Sequence, residues 1–132
     1  MIFWKILNKC YKGAWTIGFI ETNIDGVING QELTTSWIKH NYKNGWFADP
    51  FILRVTDKEI ILLCEEFYYP INRGRISKLV IDKNTKELLS VIPILTLDTH
   101  LSFPAILRKG NDIDMYPENF KGGGLKLYKY IE

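Results

Sequence analysis

A few short stretches hold side chains able to do chemistry. "GWFADPFILR", Gly45 to Arg54, places Asp49 before a proline and a run of branched apolar residues. Pro50 fixes its own φ and biases Asp49 away from helix toward extended backbone. This gives a carboxylate held where a strand begins, to act as a base or to cap the turn by accepting backbone N–H bonds. "IILLCEEF" carries Glu65 and Glu66. As neighbours on a strand they face opposite sides, so only one can reach a given surface. "DTHLSFP" gathers Asp98, His100 and Ser102, and "YPENF" holds Glu118. Ser102 lies on no nucleophile elbow, and two-residue spacings along an extended segment build no Ser-His-Asp relay. His100 with Asp98 can instead form a polar pair. No metal site is expected, because His100 has no third ligand at useful spacing.

The elements that must position these groups read as β. "AWTIGFIE" (Ala14 to Glu21) reads as a strand, "NIDG" as a turn and "TTSWIKHNY" as a short strand, followed by the turn signal Asn44-Gly45. Then come "FILRVT", "IILLCEEF", "RISKLVI" and "LLSVIPIL" at hairpin spacing. Four short strands so spaced make an antiparallel meander, since a parallel sheet needs longer crossovers. No amphipathic helix of three turns is evident, and Lys5 to Lys12 has room for one helical turn. "FKGGGLK" lacks the order of a phosphate-binding loop and precedes a strand, so it reads as a wide hairpin turn.

The chain has 132 residues, 46% of them hydrophobic, and a formal net charge of +2. That is one domain with enough apolar material for a core. Its basic residues are scattered among acids, so no nucleic-acid partner is expected. No apolar stretch approaches membrane-spanning length, and "MIFWKILNKCYKG" lacks a signal sequence's apolar region and cleavage site, which predicts a soluble, cytoplasmic chain with no membrane partner. Cys10 and Cys64 have no metal-ligand spacing. Cys64 reads as a buried thiol, with a single disulfide between the two left open.

An internal repeat is the most informative feature. With Pro50 placed on Pro104, "PFILR" sits over "PAILR". With one residue skipped, "CEEF" sits over "PENF", and "GRISKLVI" falls loosely over "GLKLYKYI". A period of roughly fifty residues is that of a four-stranded propeller blade. The expectation is an all-β chain of antiparallel four-stranded meanders forming about two blades of a β-propeller. Its blade-like units lie near 14–48, 49–100 and 101–132 within a single partial propeller domain, 1–132. Two blades leave faces and edges uncovered, which predicts a homo-oligomer, a piece of a longer protein, or blade faces covered by the chain's own ends.

The ordered set "WTIGFI", "WFADPFIL", "LLCEEFYYPINRGRISKLVID", "THLSFPAIL" and "DMYPENFKGGGLKLYKY" resembles a bacterial domain also found at the N-terminus of plant glucosamine inositolphosphorylceramide transferases. That domain resembles the five-bladed propellers of family 43 glycoside hydrolases. The likeness covers about residues 14 to 131. It implies a shallow carbohydrate site at one end of the propeller axis. It also places Asp49 at the position of the general base of an inverting mechanism. The companion aspartate would stand at Phe103, and no residue matches the glutamate acid. Inverting hydrolysis needs two carboxyl groups about 6.5–9.5 Å apart, one protonated and one ionised.

On this resemblance Trp46 and Phe47 offer a sugar-stacking face or pack as core. One of Glu65 and Glu66 bonds sugar hydroxyls or pairs with Arg73 or Arg75, and Glu118 is read the same way. His100 and Asp98 lie near the axis, and Tyr68, Tyr69 and Arg73 line a groove or decorate a loop. The expected function is contact with an oligosaccharide or polysaccharide, without a complete glycosidase site and without a cofactor. The alternatives are an inverting hydrolase or sugar-transfer domain with Asp49 as base, and a structural, self-associating β domain.

Overall fold

A computed structural model of the chain describes residues 13–131. The expected helical turn at Lys5 to Lys12, and Cys10, lie outside the described residues. The fold is all-β and antiparallel, as expected. A two-stranded ribbon comes first, β1 (Gly18–Ile20) with β2 (Thr35–Trp37). A four-stranded meander follows: β3 (Gly45–Val55), β4 (Glu59–Tyr68), β5 (Arg73–Asp82) and β6 (Leu88–Leu95). The last sheet has three strands, β7 (Ser102–Lys109), β8 (Asp112–Glu118) and β9 (Tyr128–Tyr130). Among the described residues only the middle sheet therefore has the four strands expected of each unit. Among the described residues no helix is long and apolar enough to cross a membrane.

Strand β4 explains the layering. Glu59–Tyr68 is buried almost continuously, from Ile60 through Glu66. Such a run marks a strand covered on both faces, whereas a half-exposed strand alternates. One face carries Phe47, Ile60, Leu62, Cys64, Leu79 and Ile81 and is covered by Ile17, Ile38, Phe19 and Tyr42 from the N-terminal segment. The other carries Leu53, Ile61, Leu63 and Ile76 and is covered by Leu101, Met115, Ile106 and Tyr128 from the last sheet and its approach. Edge strand β6 holds Pro93, where a missing N–H costs no ladder bond.

Several local expectations are corrected. Asn44-Gly45 is not a turn: β3 begins at Gly45, where a Cβ would lie 2.1 Å from the Phe67 carbonyl oxygen. The glycine is there for close strand approach. "NIDG" opens a short helix, α1 (Ile24–Ile28), because the Asn23 side chain accepts the Gly26 N–H at 2.8 Å and caps it. The strand read over Ala14 to Glu21 shrinks to Gly18–Ile20.

The repeat has a geometric counterpart. In the first hairpin Ala48 pairs with Glu65 and Phe51 with Leu63, so Asp49 and Pro50 oppose Cys64 alone. In the second, Ser102 pairs with Glu118 and Ala105 with Tyr116, so Phe103 and Pro104 oppose Pro117 alone. Each is a β-bulge at the same place, and the proline sits where the ladder is interrupted. The register sets Glu65 over Glu118, as the sequence alignment does. The loose third landmark is out by one residue: it placed Leu79 over Lys129, but Leu62 pairs with Leu79 and its counterpart Met115 pairs with Tyr128.

Candidate functional site

Asp49 lies inside β3, at the bulge, and not at a strand entrance. Its φ is +51°, so the extended conformation expected ahead of Pro50 is not adopted. Phe103 has φ +44° at the equivalent bulge. Asp tolerates the left-handed region better than a bulky aromatic does, so the second bulge is the more strained. Its ring packs edge-on against Phe51, with centroids 4.9 Å apart.

The two glutamates divide as their alternation predicts. Each is buried, so each must find partners. Glu66 finds them on the N-terminal side of the sheet. Arg75 grips it with two bonds of 2.9 Å, Nε to Oε2 and Nη2 to Oε1. The Ser77 and Tyr42 hydroxyls also donate to it. Burial alone would raise the Glu66 carboxyl, but these donors outweigh it and hold the pKa below its usual value. Burial and the bond to Glu66 push the Tyr42 phenol well up. The Arg75 guanidinium lies 3.7 Å from the centroid of the Tyr68 ring. Glu66 is thus removed from any ligand site, and Tyr68 is engaged by Arg75.

Glu65 points to the opposite face, toward the last sheet. The Gly74 N–H donates to His100 Nδ1 at 3.0 Å. With Nδ1 accepting, Nε2 carries the proton and donates to Glu65 Oε1 at 3.1 Å. Glu65 also shares a hydrogen bond with Asp49. Burial first, then the Asp49 charge, that hydrogen bond and the Glu118 charge, raise the Glu65 carboxyl to about 7. Asp49 Oδ2 in turn accepts the Phe103 N–H at 3.3 Å. The Leu101 N–H donates to the Gly74 carbonyl at 3.0 Å. The segment leading into β7 is therefore bolted to the middle sheet through Asp49, Glu65 and Gly74. Farther along β7, Arg108 donates to the Ile52 and Leu53 carbonyls.

Asp49, Glu65, His100 and the charge of Glu118 come together, and Arg73 and Asp98 line a cleft with His100 and Glu118; Phe47 and Glu66 stand apart. Phe47 is fully buried and packs on His40 and Tyr42, so it is core and cannot stack on a sugar. Trp46 stacks on Phe67, with centroids 4.9 Å apart and planes 10° from parallel. The Asp98–His100 pair does not form: Asp98 reaches Arg73 at 3.6 Å from a fully exposed position, while His100 turns to Glu65. Tyr69 packs edge-on to Phe67, 6.2 Å between centroids.

Beside the bolted segment lies a cleft of about 360 Å³, lined in part by Arg73, His100, Ser102, Glu118, Phe120 and Lys121. The Phe120 ring is 92% exposed there, and the His100 side chain 47%. Among the described residues no three His, Cys, Asp or Glu side chains are grouped to hold a metal ion.

Sequence reasoning missed Gly74. A Cβ there would lie 2.3 Å from the Leu101 carbonyl oxygen, 2.8 Å from Glu65 Oε1 and 2.9 Å from His100 Cε1. The one signal was its alignment with Gly124 in the repeat. Gly74→Ala is expected to push the β7 approach off the middle sheet and to cost about 1–3 kcal/mol. Urea unfolding measures the loss, and an unchanged midpoint would contradict the close packing.

No protein family, curated protein or solved structure matches the chain.

Proposed function

We propose that the chain is a glycan-contacting domain of the propeller type seen in family 43 glycoside hydrolases, without a working glycosidase centre. The observation that carries this reading is the cleft in which His100, Ser102 and Glu118 stand beside the exposed Phe120 ring. Sugars present hydroxyls to polar groups and C–H faces to aromatic rings, and this lining offers both. Arg73 and Lys121 add donors on the same wall.

A specific observation raises the enzyme alternative: the Glu65 carboxyl, at about 7, is poised as a general acid. Its position argues against it. Glycosidase carboxyl groups stand about 5–5.5 Å apart in retaining and 6.5–9.5 Å apart in inverting enzymes, leaving room for substrate and water. Asp49 and Glu65 are in direct hydrogen-bond contact, and Glu65 is only 5% exposed. No sugar oxygen fits between them. Asp49 is thus a tie between sheets.

The test is a broad glycan panel followed by titration of the best hit. Phe120→Ala is expected to weaken binding about tenfold, near 1.4 kcal/mol, and no chromophore should be released from aryl glycosides. Failure of every glycan to bind overturns the reading, and turnover abolished by Asp49→Asn would restore the hydrolase.

A further inference from the structure

We propose that Asp49, Glu65 and His100 form a proton-operated latch that clamps the β7 segment, one wall of the cleft, onto the middle sheet. The latch is a matter of connectivity. Glu65 sits on β4 and Asp49 on β3, both in the middle sheet, whereas His100 and Phe103 belong to the β7 segment. One proton between Asp49 and Glu65 lets the pair stay in contact. Asp49 is then free to accept the Phe103 N–H, and Glu65 Oε1 to accept from His100.

Without that proton two carboxylates face each other, Glu65 buried and Asp49 half-buried, with Glu118 adding a third negative charge. Like charges so placed do not stay in contact. The simplest relief is to swing the carboxylates apart, which releases Phe103 and His100 together.

Among the described residues the charges that act on Glu65 are those of Asp49 and Glu118, both negative; Arg73 and Lys121 line the cleft with Glu118, and Arg73 is paired with Asp98. β3 presents Asp49, β8 presents Glu118 and the approach to β7 presents His100. On β5 the group next to Glu65 is the Gly74 backbone. Lys78, on the same face of β5, stands opposite Leu63 and lies 6.0 Å from the Tyr130 ring centroid. Arg75, also on β5, is committed to Glu66 on the far face. His100 can take up a second proton only by giving up its bond from Gly74, because Nδ1 is the acceptor there.

The carboxyl that acts as the proton holder is raised to about 7, so the latch would work near neutrality. His100, Ser102 and Glu118 line the cleft, so opening the latch changes its shape. That this alters ligand capture rests on the glycan reading above; the latch itself does not.

Hydrogen exchange of the Leu101 and Phe103 amides tests the latch with no glycan present. After correction for intrinsic exchange, opening in the wild-type chain is expected to rise up to about tenfold per pH unit between pH 5 and 7 and to level off above. Glu65→Gln keeps a neutral group that donates to Asp49 and accepts from His100, and should be flat over the same range. Asp49→Asn removes the opposing charge and should reduce the slope, a second arm should the glutamine variant fail to fold. Matching slopes in the wild-type chain and in the folded variants would overturn the latch. A pH-dependent wild type whose glycan panel is blank would keep the latch and discard the glycan.

Discussion

Replacing Arg75 with alanine is expected to destabilise the fold by about 3–5 kcal/mol, the cost of leaving a buried carboxylate without its partner. Glu66 is fully buried, and the Arg75 side chain is only 14% exposed. The guanidinium supplies two of the bonds to that carboxylate and, among the described residues, the one positive charge paired with it, so the Ser77 and Tyr42 hydroxyls are left to hold an ion by themselves. Against a total stability of about 5–15 kcal/mol for a domain, this is a large fraction. The double variant Glu66→Gln with Arg75→Met removes both charges, leaves an acceptor for one hydroxyl and a donor toward which the other can turn its oxygen, and should recover much of the loss. Urea midpoints of the single and double variants measure both effects. A single-variant loss below about 1 kcal/mol would mean the pair behaves like an exposed one.

The same strand shows what the sequence could and could not convey. The apolar run "IILLC" and the alternation after it fix β4 as a central strand, and alternation alone sends Glu65 and Glu66 to opposite faces. The repeat around Pro50 and Pro104 was legible because a proline in a ladder demands a special place, and both prolines proved to lie at bulges. The partners were not legible. Arg75 and Ser77 lie nine and eleven residues beyond Glu66, and their contact with it depends on the β4–β5 register. His100 lies thirty-five residues beyond Glu65 and reaches it only because the last sheet packs across the middle one. Its nearest acid in sequence, Asp98, was the natural partner to expect, yet the path of the chain turns that side chain outward. Asp49 was singled out for its type and its proline. Its role as a tie to the next repeat required knowing that Phe103 N–H would stand in front of it.

The two adjacent glutamates are expected to bend the stability of the chain in opposite directions with pH, giving a maximum near the ordinary carboxylate value of 4.5. Glu66 has its folded pKa lowered, so its contribution is complete above the unfolded value and is lost as pH falls through the folded one. Glu65 has its folded pKa raised to about 7, so its contribution is complete below 4.5 and is lost as pH rises from there to about 7. A unit of pKa shift is worth about 1.4 kcal/mol, and Glu65 contributes at most about 3 kcal/mol after allowing for water that reaches its partly exposed partners. Chemical denaturation from pH 3 to 9 reads both limbs. Glu65→Gln should flatten the limb above 4.5 and leave the acid limb in place, because Glu66 and its donors lie on the other face of β4. A wild-type profile that climbs steadily from pH 4.5 to 8 would mean that Glu65 is ionised in the folded chain, and the proton shared with Asp49 would then not exist.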